Sequence, residues 1–157
     1  MTAFKFSAEE VFSGKTQETE SIEFQPYKFI LAGNATFTVE SKITGKRFTY
    51  KVNKLDDLEK DLWFVGVLTG PDNNADYTYL GIIQNNRIFK RTAKSPISPD
   101  ADSHKAFAWV WGKILAGANI EKQASIYHEG RCGRCGRKLT VPESIMSGFG
   151  PECREKI

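Results

Sequence analysis

Alternation of apolar and polar residues with a period of two dominates the middle of this chain, and it restricts the possible folds more than any other feature. Phe37 and Val39 alternate with threonines, and beyond a Gly-containing turn Phe48, Tyr50 and Val52 alternate with polar residues. Successive side chains of a strand point to opposite faces, so both runs are typical of strands that bury one face. The short turn between the two runs predicts a β-hairpin.

Three further strands are predicted after the hairpin. Residues 62–68 form a continuous apolar run, which is typical of a strand covered on both faces. Residues 77–83 and 87–91 predict two more strands, because residues that favour turns precede each of them. Five strands joined by short turns predict an antiparallel β-meander. The N-terminal part is harder to interpret, although residues 7–10 have the form of a helix-starting capping box.

The period of the apolar residues changes after the last predicted strand. Residues 98–103 are rich in helix-starting types, and an apolar stripe at helical spacing follows them, made of Ala106, Phe107, Val110, Trp111, Ile114 and Leu115. The spacing predicts a helix of about four turns, with its apolar stripe packed on one face of the sheet. We therefore expect Trp63 and Trp111 to belong to one core.

Composition and charge narrow the function classes. Hydrophobic residues make up 40% of the chain and charged residues 26%, as in a soluble globular protein. There is no run of about 20 apolar residues, and residues 1–10 lack the apolar part of a signal peptide, so we expect a cytoplasmic protein without a membrane segment. The net charge of +3 is small but uneven, since residues 1–25 are acidic while residues 42–54 and 84–94 contain basic residues and no acid. Such asymmetry is typical of proteins with an anionic partner.

Three cysteines near the C-terminus carry the clearest chemical signal. Cys132 and Cys135 form a C-x2-C pair among glycines, an arrangement that places two thiolates on one tight turn for tetrahedral Zn²⁺. Cys153 is the predicted third ligand, because Gly150 and Pro151 predict a new helix with the thiol in its first turn, where a thiolate is favoured. An odd number of cysteines argues against a secreted disulfide framework.

The fourth ligand has several candidates. His128 is the predicted one, because it lies four residues before Cys132 and can fold back towards the metal. Glu129 and Glu152 are oxygen alternatives, and a position occupied by water would make the site catalytic. His104 lies on the predicted helix, and we expect it to be a solvated surface residue.

A short helix is predicted between the C-x2-C pair and Cys153. Thr140 and Glu143 have the form of a capping box, and Pro142 suits the first turn of a helix. We expect this helix to end at Gly148.

The C-terminal segment resembles a zinc-binding domain of unknown function found in phage, prophage and bacterial proteins. Residues 132–144 follow the pattern C-x2-C-G-R-x-L-T-x-P-x-S, and residues 148–153 follow G-x-G-P-x-C. Residues 63–65, 68–73 and 76–79 also resemble the upstream part of such phage proteins. The resemblance therefore extends over residues 33–157. It implies a phage origin, and hence a location in the cytoplasm of an infected bacterium. It implies no particular activity.

These observations predict an α+β protein, in which an antiparallel β-meander with one covering helix is followed by a C-terminal zinc knuckle. The predicted organisation is a partly ordered acidic segment at residues 1–33, the meander and helix at residues 34–118, and a zinc-binding module at residues 119–157. The predicted cofactor is zinc. Nothing in the sequence indicates an oligomeric state.

Nucleic-acid binding, in particular of single strands, is the favoured function, because basic residues beside aromatic ones commonly hold phosphates and stacked bases. The candidate binding residues are Arg47, Lys51, Arg87, Lys90, Arg91, Arg134 and Arg137. Basic residues also protect exposed sheet faces and edges without any ligand. The alternative function is an inhibitor or adaptor that binds a host protein, such as a defence factor. An enzyme is the least favoured class, because Asp72 and Asp76 flank an ordinary turn and no nucleophile-plus-base pattern is present.

Overall fold

The computed structural model describes residues 23–55 and 61–156 of the chain. The predicted helix at residues 7–10 lies outside the described residues. None of the described helices is both long enough and apolar enough to span a bilayer. The elements follow in the order α1 (Pro26–Ile30), β1 (Asn34–Ser41), β2 (Arg47–Lys54), β3 (Leu62–Leu68), β4 (Tyr77–Gln84), β5 (Ile88–Lys90), α2 (Asp102–Leu115), β6 (Ala124–His128), α3 (Pro142–Ser147) and α4 (Pro151–Arg154).

The strands of the described residues form one antiparallel sheet of six, in the order β5-β4-β3-β2-β1-β6, so the protein is of the predicted α+β class. The first five strands make the predicted meander, in which each strand pairs with the next. The sixth strand was not predicted. It pairs with β1, with Phe37 opposite His128 and Val39 opposite Ile126. The segment predicted to be a separate zinc module therefore contributes a strand to the sheet.

Two tight turns set the register of the meander. Gly45 has a φ of +75° in the turn between β1 and β2, a conformation that costs glycine little. Asn85 and Asn86 have φ values of 54° and 65° between β4 and β5. They are the central residues of a turn that the Arg87 N–H closes by donating to Gln84 O, and asparagine tolerates positive φ well.

Helix α2 covers one face of the sheet, as predicted. The ring of Phe107 lies against those of Tyr50 and Phe89, with centroid distances of 5.1 and 4.6 Å. Trp111 is buried, and its Nε1 donates a hydrogen bond to the carbonyl oxygen of Arg87 at 2.8 Å. Trp63 and Trp111 belong to the same core, which confirms that prediction.

The opposite face of the sheet is much less buried, and we call it the open face. It is defined by the paired residues that point away from α2, namely Thr36, Thr38, Glu40, Arg47, Thr49, Lys51, Phe64, Tyr77, Tyr79, Lys90 and Tyr127. The prediction that β3 is covered on both faces is wrong, because its burial alternates and Phe64 is 40% exposed on this side. A continuous apolar sequence run does not distinguish a doubly covered strand from one that presents an aromatic ring to solvent.

Candidate metal centre and the open sheet face

The structure brings the three cysteines together. The Sγ atoms of Cys132, Cys135 and Cys153 all lie within 4.8 Å of one another, and none of these thiols forms a disulfide. A tetrahedral zinc with Zn–S bonds of about 2.3 Å holds its sulfurs about 3.8 Å apart. The cluster therefore has the donor type and the spacing of a metal site.

The turn that carries Cys132 directs backbone N–H groups at its sulfur. The Arg134 N–H donates to Cys132 Sγ at 3.4 Å. The turn is closed by hydrogen bonds between Cys132 N and Arg137 O, and between Gly136 N and Cys132 O. Burial raises the pKa of the Cys132 thiol, but the backbone N–H groups of Cys135, Gly150 and Arg134 outweigh it and hold the pKa below its usual value. The turn is thus built to stabilise a thiolate.

Cys153 lies in α4, as the sequence predicts. This helix begins at Pro151 after the extended residue Gly150, and Cys153 is buried within it. Burial raises the pKa of the Cys153 thiol, and a hydrogen bond from Arg134 opposes that effect. The guanidinium Nη1 of Arg134 lies 3.6 Å from Cys153 Sγ. Arg134 therefore lies at the cysteine cluster, where its positive charge opposes the effect of burial on the pKa of Cys153.

Two glycines allow the module to approach α1 closely. A Cβ atom added at Gly133 or at Gly148 would lie 2.7 Å from the Phe29 ring, which is too close for any side chain. Gly148 also has a φ of +83° and ends α3, as predicted. Asn34 at the start of β1 completes the contact, since its backbone N–H donates to Gly133 O and its Nδ2 to Arg134 O.

The predicted fourth ligand, His128, lies outside the cysteine cluster. The Gly130 N–H donates to its Nδ1 at 2.9 Å, and its Nε2 donates to the carbonyl oxygen of Ile145. Both ring nitrogens are therefore engaged, and His128 is 1% exposed, with its ring packed against those of Phe24 and Phe29. Burial lowers the pKa of His128, with the Ile145 hydrogen bond opposing this, so the neutral ring is favoured.

The oxygen alternatives also lie away from the three sulfurs. Among the described residues, the group of potential ligand atoms within 4.8 Å of one another contains the cysteines alone. Glu129 lies near Lys51 and Tyr77 at the open face, where burial first and the Glu129 charge second raise the pKa of Tyr77 to about 12. Glu152 is exposed on α4.

Two other predicted features have ordinary structural roles. Asp72 and Asp76 accept backbone hydrogen bonds within their own turn, from Asn74 N and Asp72 N respectively. His104 was expected to be solvated. It is instead partly buried beside Phe89, with a ring centroid distance of 5.4 Å, because α2 lies close to β5.

Aromatic rings form the centre of the open face. Phe64 and Tyr79 pack edge to face with centroids 6.1 Å apart. The Nζ of Lys51 lies 4.7 Å from the centroid of the Tyr77 ring. Lys90 is exposed and pairs with Ile82, which in turn pairs with Phe64, so the three residues lie in one row across the sheet. The open face therefore combines exposed ring surface with positive charge.

The structure divides the seven basic residues that were predicted to bind nucleic acid. Arg47, Lys51 and Lys90 lie on the open face, where Arg47 pairs with Glu40 at 3.7 Å. The other four lie elsewhere. Arg87 is exposed in the turn before β5, and Arg137 is exposed on the C-x2-C turn. Arg91 donates hydrogen bonds to the carbonyl oxygens of Ser95 and Ile97. Arg134 contacts Cys153 of the cysteine cluster.

Sequence reasoning missed three residues that position these sites. Phe29 packs against two glycines of the module, and Asn34 donates a hydrogen bond to the C-x2-C turn. Phe64 is exposed and forms part of the aromatic surface of the open face. One feature of the open face could be read from the alternation in β2. The alternation places the side chain of Lys51 on the sheet face away from the buried side chains of Tyr50 and Val52.

Comparison with known proteins supports only the C-terminal part of the sequence interpretation. A model of a family of unknown function (DUF6011) matches residues 122–157. This segment contains β6, α3, α4 and all three cysteines. No curated protein and no solved structure matches the chain.

Proposed function

We propose that this is a non-catalytic zinc protein that binds single-stranded nucleic acid on the open face of its sheet. The observation that carries the proposal is the aromatic surface of Phe64, Tyr77 and Tyr79 with Lys51 and Lys90 beside it. Aromatic side chains stack on bases of any sequence, and lysines neutralise the phosphates between them. A sheet face of this kind fits an extended strand better than a duplex, because the bases of a duplex already stack on one another.

The basic and acidic residues of the open face divide it into two regions. Arg47 and Lys51 have acidic neighbours in Glu40 and Glu129, which reduce the attraction for phosphate there. Lys90 lies at the other end, beside Ile82, which separates it from Phe64 in the same row. We therefore expect the contact to centre on the Phe64 ring and on Lys90.

The metal centre has a structural role in this proposal. Zinc bound by Cys132, Cys135 and Cys153 would hold the C-x2-C turn to α4, and Arg134 would offset part of the thiolate charge. The bound metal would supply a fixed cross-link between these two segments. The role of Arg134 at the cysteines also explains why it is not counted among the nucleic-acid contacts.

A cytoplasmic setting, in a phage-infected bacterium, belongs to the same proposal. It is supported by thiols without disulfides, which suit a reducing compartment, and by the sequence resemblance to phage proteins. The absence of catalysis is supported by the histidines, because the rings of His104 and His128 are packed against aromatic side chains.

Binding can be tested with fluorescently labelled single-stranded DNA and RNA at several salt concentrations. Phe64→Ala should weaken binding roughly 5- to 150-fold, since one stacked base is worth about 1–3 kcal/mol. Trp109→Ala is the matched control, because Trp109 is 38% exposed on α2, on the far side of the sheet. Lys90→Ala should reduce the slope of log affinity against log salt by about 0.7.

Three results would contradict the proposal. The first is the absence of binding to either nucleic acid at low salt. The second is an equal effect of Phe64→Ala and Trp109→Ala. The third is a loss of binding in Arg137→Ala with no effect of Phe64→Ala, which would move the contact from the sheet to the C-x2-C turn.

Protein binding is the second candidate, and a separate surface favours it. A groove of about 430 Å³ lies between α2 and the β1–β2 turn, with Trp109 and the 76% exposed Ile43 among its lining residues. Exposed apolar side chains of this kind suit an anchor residue of a host protein. Ile43→Asp should abolish capture of such a partner from host lysate, whereas Phe64→Ala should not.

A further inference from the structure

The described residues supply the proposed metal site with three ligands. Those ligands are the sulfurs of Cys132, Cys135 and Cys153, and no described carboxylate or imidazole adds a fourth atom to the group. Zinc in proteins takes four ligands in a tetrahedron. One position is therefore left to a donor from outside these residues.

His128 is unsuited to fill this position. Its Nδ1 lone pair accepts the hydrogen bond from Gly130 N, and its Nε2 is directed at the carbonyl oxygen of Ile145. Turning the ring towards the sulfurs would break both bonds and would leave two half-buried backbone groups without these partners. The ring would also lose its contacts with the rings of Phe24 and Phe29.

The three sulfurs differ in their access to solvent. Cys132 and Cys153 are buried, whereas Cys135 is exposed. A metal held by this set is therefore enclosed on the side of two thiolates and reachable on the side of the third. From this arrangement we infer that the fourth position is open to an exogenous monodentate donor, of the thiolate or imidazole class, and this inference rests on the metal site proposed above.

Charge explains why both donor classes fit. A divalent metal with three thiolates carries a net charge of −1, and an added thiolate makes it −2. Arg134 lies 3.6 Å from Cys153 Sγ, and Arg131 and Arg137 are exposed on the same turn. These cations favour an anionic sulfur donor, while a neutral imidazole adds no charge and needs no compensation.

Cobalt(II) tests the inference, because it takes the same ligands as zinc and absorbs light. The purified full-length protein is loaded with Co²⁺, and its spectrum is recorded while 2-mercaptoethanol or imidazole is added. The thiol should raise the sulfur-to-cobalt charge-transfer band by about a third, as three Co–S bonds become four. Imidazole should shift the ligand-field bands without raising that band.

Three variants identify the ligands. Cys135→Ser should bind less metal, and it should lower the charge-transfer absorbance per bound cobalt by about a third. His128→Gln and Glu152→Gln should leave both the spectrum and the thiol response unchanged, with circular dichroism confirming that each variant is folded. A ligand-field shift in either variant, together with a thiol response that appears only there, would identify that residue as the fourth ligand and overturn the inference.

The remaining outcomes are also decisive. A wild-type spectrum that does not respond to thiol or imidazole shows a closed site and overturns the inference, while the metal site itself still stands. Failure to take up any cobalt or zinc overturns both. Neither outcome bears on nucleic-acid binding, which the Phe64 experiment tests separately.

Discussion

Replacement of Trp111 by alanine tests which face of the sheet is covered and which is open. The Trp111 side chain is 2% exposed, and its ring stacks on Phe107 and on Tyr27 with interplanar angles of 12° and 14°. Its Nε1 also donates to the carbonyl oxygen of Arg87. If α2 covers the sheet through this residue, its loss must lower the free energy of unfolding substantially.

The expected magnitude follows from these contacts. Large-to-alanine changes at buried aromatic positions cost about 3–5 kcal/mol. The unpaired carbonyl oxygen of Arg87 adds up to about 1–3 kcal/mol unless water reaches it. Trp109→Ala is the control two positions away. Because its ring is 38% exposed, we expect a smaller loss, of about 1–2 kcal/mol. The difference between the two variants should therefore exceed about 1 kcal/mol.

Urea unfolding followed by circular dichroism measures both values. The slope of free energy against urea should stay near that of the wild type, so the change should be seen in the midpoint. In a thermal melt, a loss of 3–5 kcal/mol corresponds to a fall of roughly 6–20 °C for a chain of this size. Equal midpoints for Trp111→Ala and Trp109→Ala would refute the reasoning, because they would show that α2 does not depend on this buried contact.

Three further changes probe other parts of the structure. Elemental analysis should find about one zinc per chain in the wild type and much less in Cys135→Ser, and equal zinc in both would contradict the three-cysteine site. Gly148→Ala should lower the melting temperature more than Gly45→Ala. Both glycines have a positive φ, but only at Gly148 would an added Cβ lie against the Phe29 ring. Equal shifts in the melting temperature would show that this close approach is unimportant. Burial and a nearby arginine lower the pKa of His104, so its contribution to stability is present above about pH 6.5 and is lost as the pH falls below it. Urea midpoints at about pH 7.5 and 5.5 should therefore differ less in His104→Gln than in the wild type, and an equal difference would contradict this assignment.

The meander and the covering helix could be predicted because their signals are local. Phe37, Tyr50 and Val52 alternate with polar residues, and that alternation is enough to place them on the buried face. The cysteine cluster could also be predicted from the sequence, because a C-x2-C turn and a cysteine shortly after Gly-Pro are short-range patterns.

The remaining features depend on contacts between distant parts of the chain. Strand β6 has only five residues, and it is recognisable as a strand chiefly by its pairing with β1. The surroundings of His128 are a second example. Proximity to Cys132 in the sequence indicated a ligand, but the direction of the ring is set by Ile145, which lies 17 residues away. Sequence spacing limits how far a side chain is from a metal, but it does not determine where the lone pairs point.

Phe29 explains why the sheet and the C-terminal segment form one unit. Its buried ring lies 5.2 Å from Phe24 and 5.8 Å from both His128 and Phe149. Both close-approach glycines of the module also face it. A histidine surrounded by these apolar rings is stabilised in the neutral form and needs backbone partners for both nitrogens, which is the arrangement that the structure shows. The same packing that joins the module to α1 therefore keeps the imidazole away from the three sulfurs, which form a cluster without it.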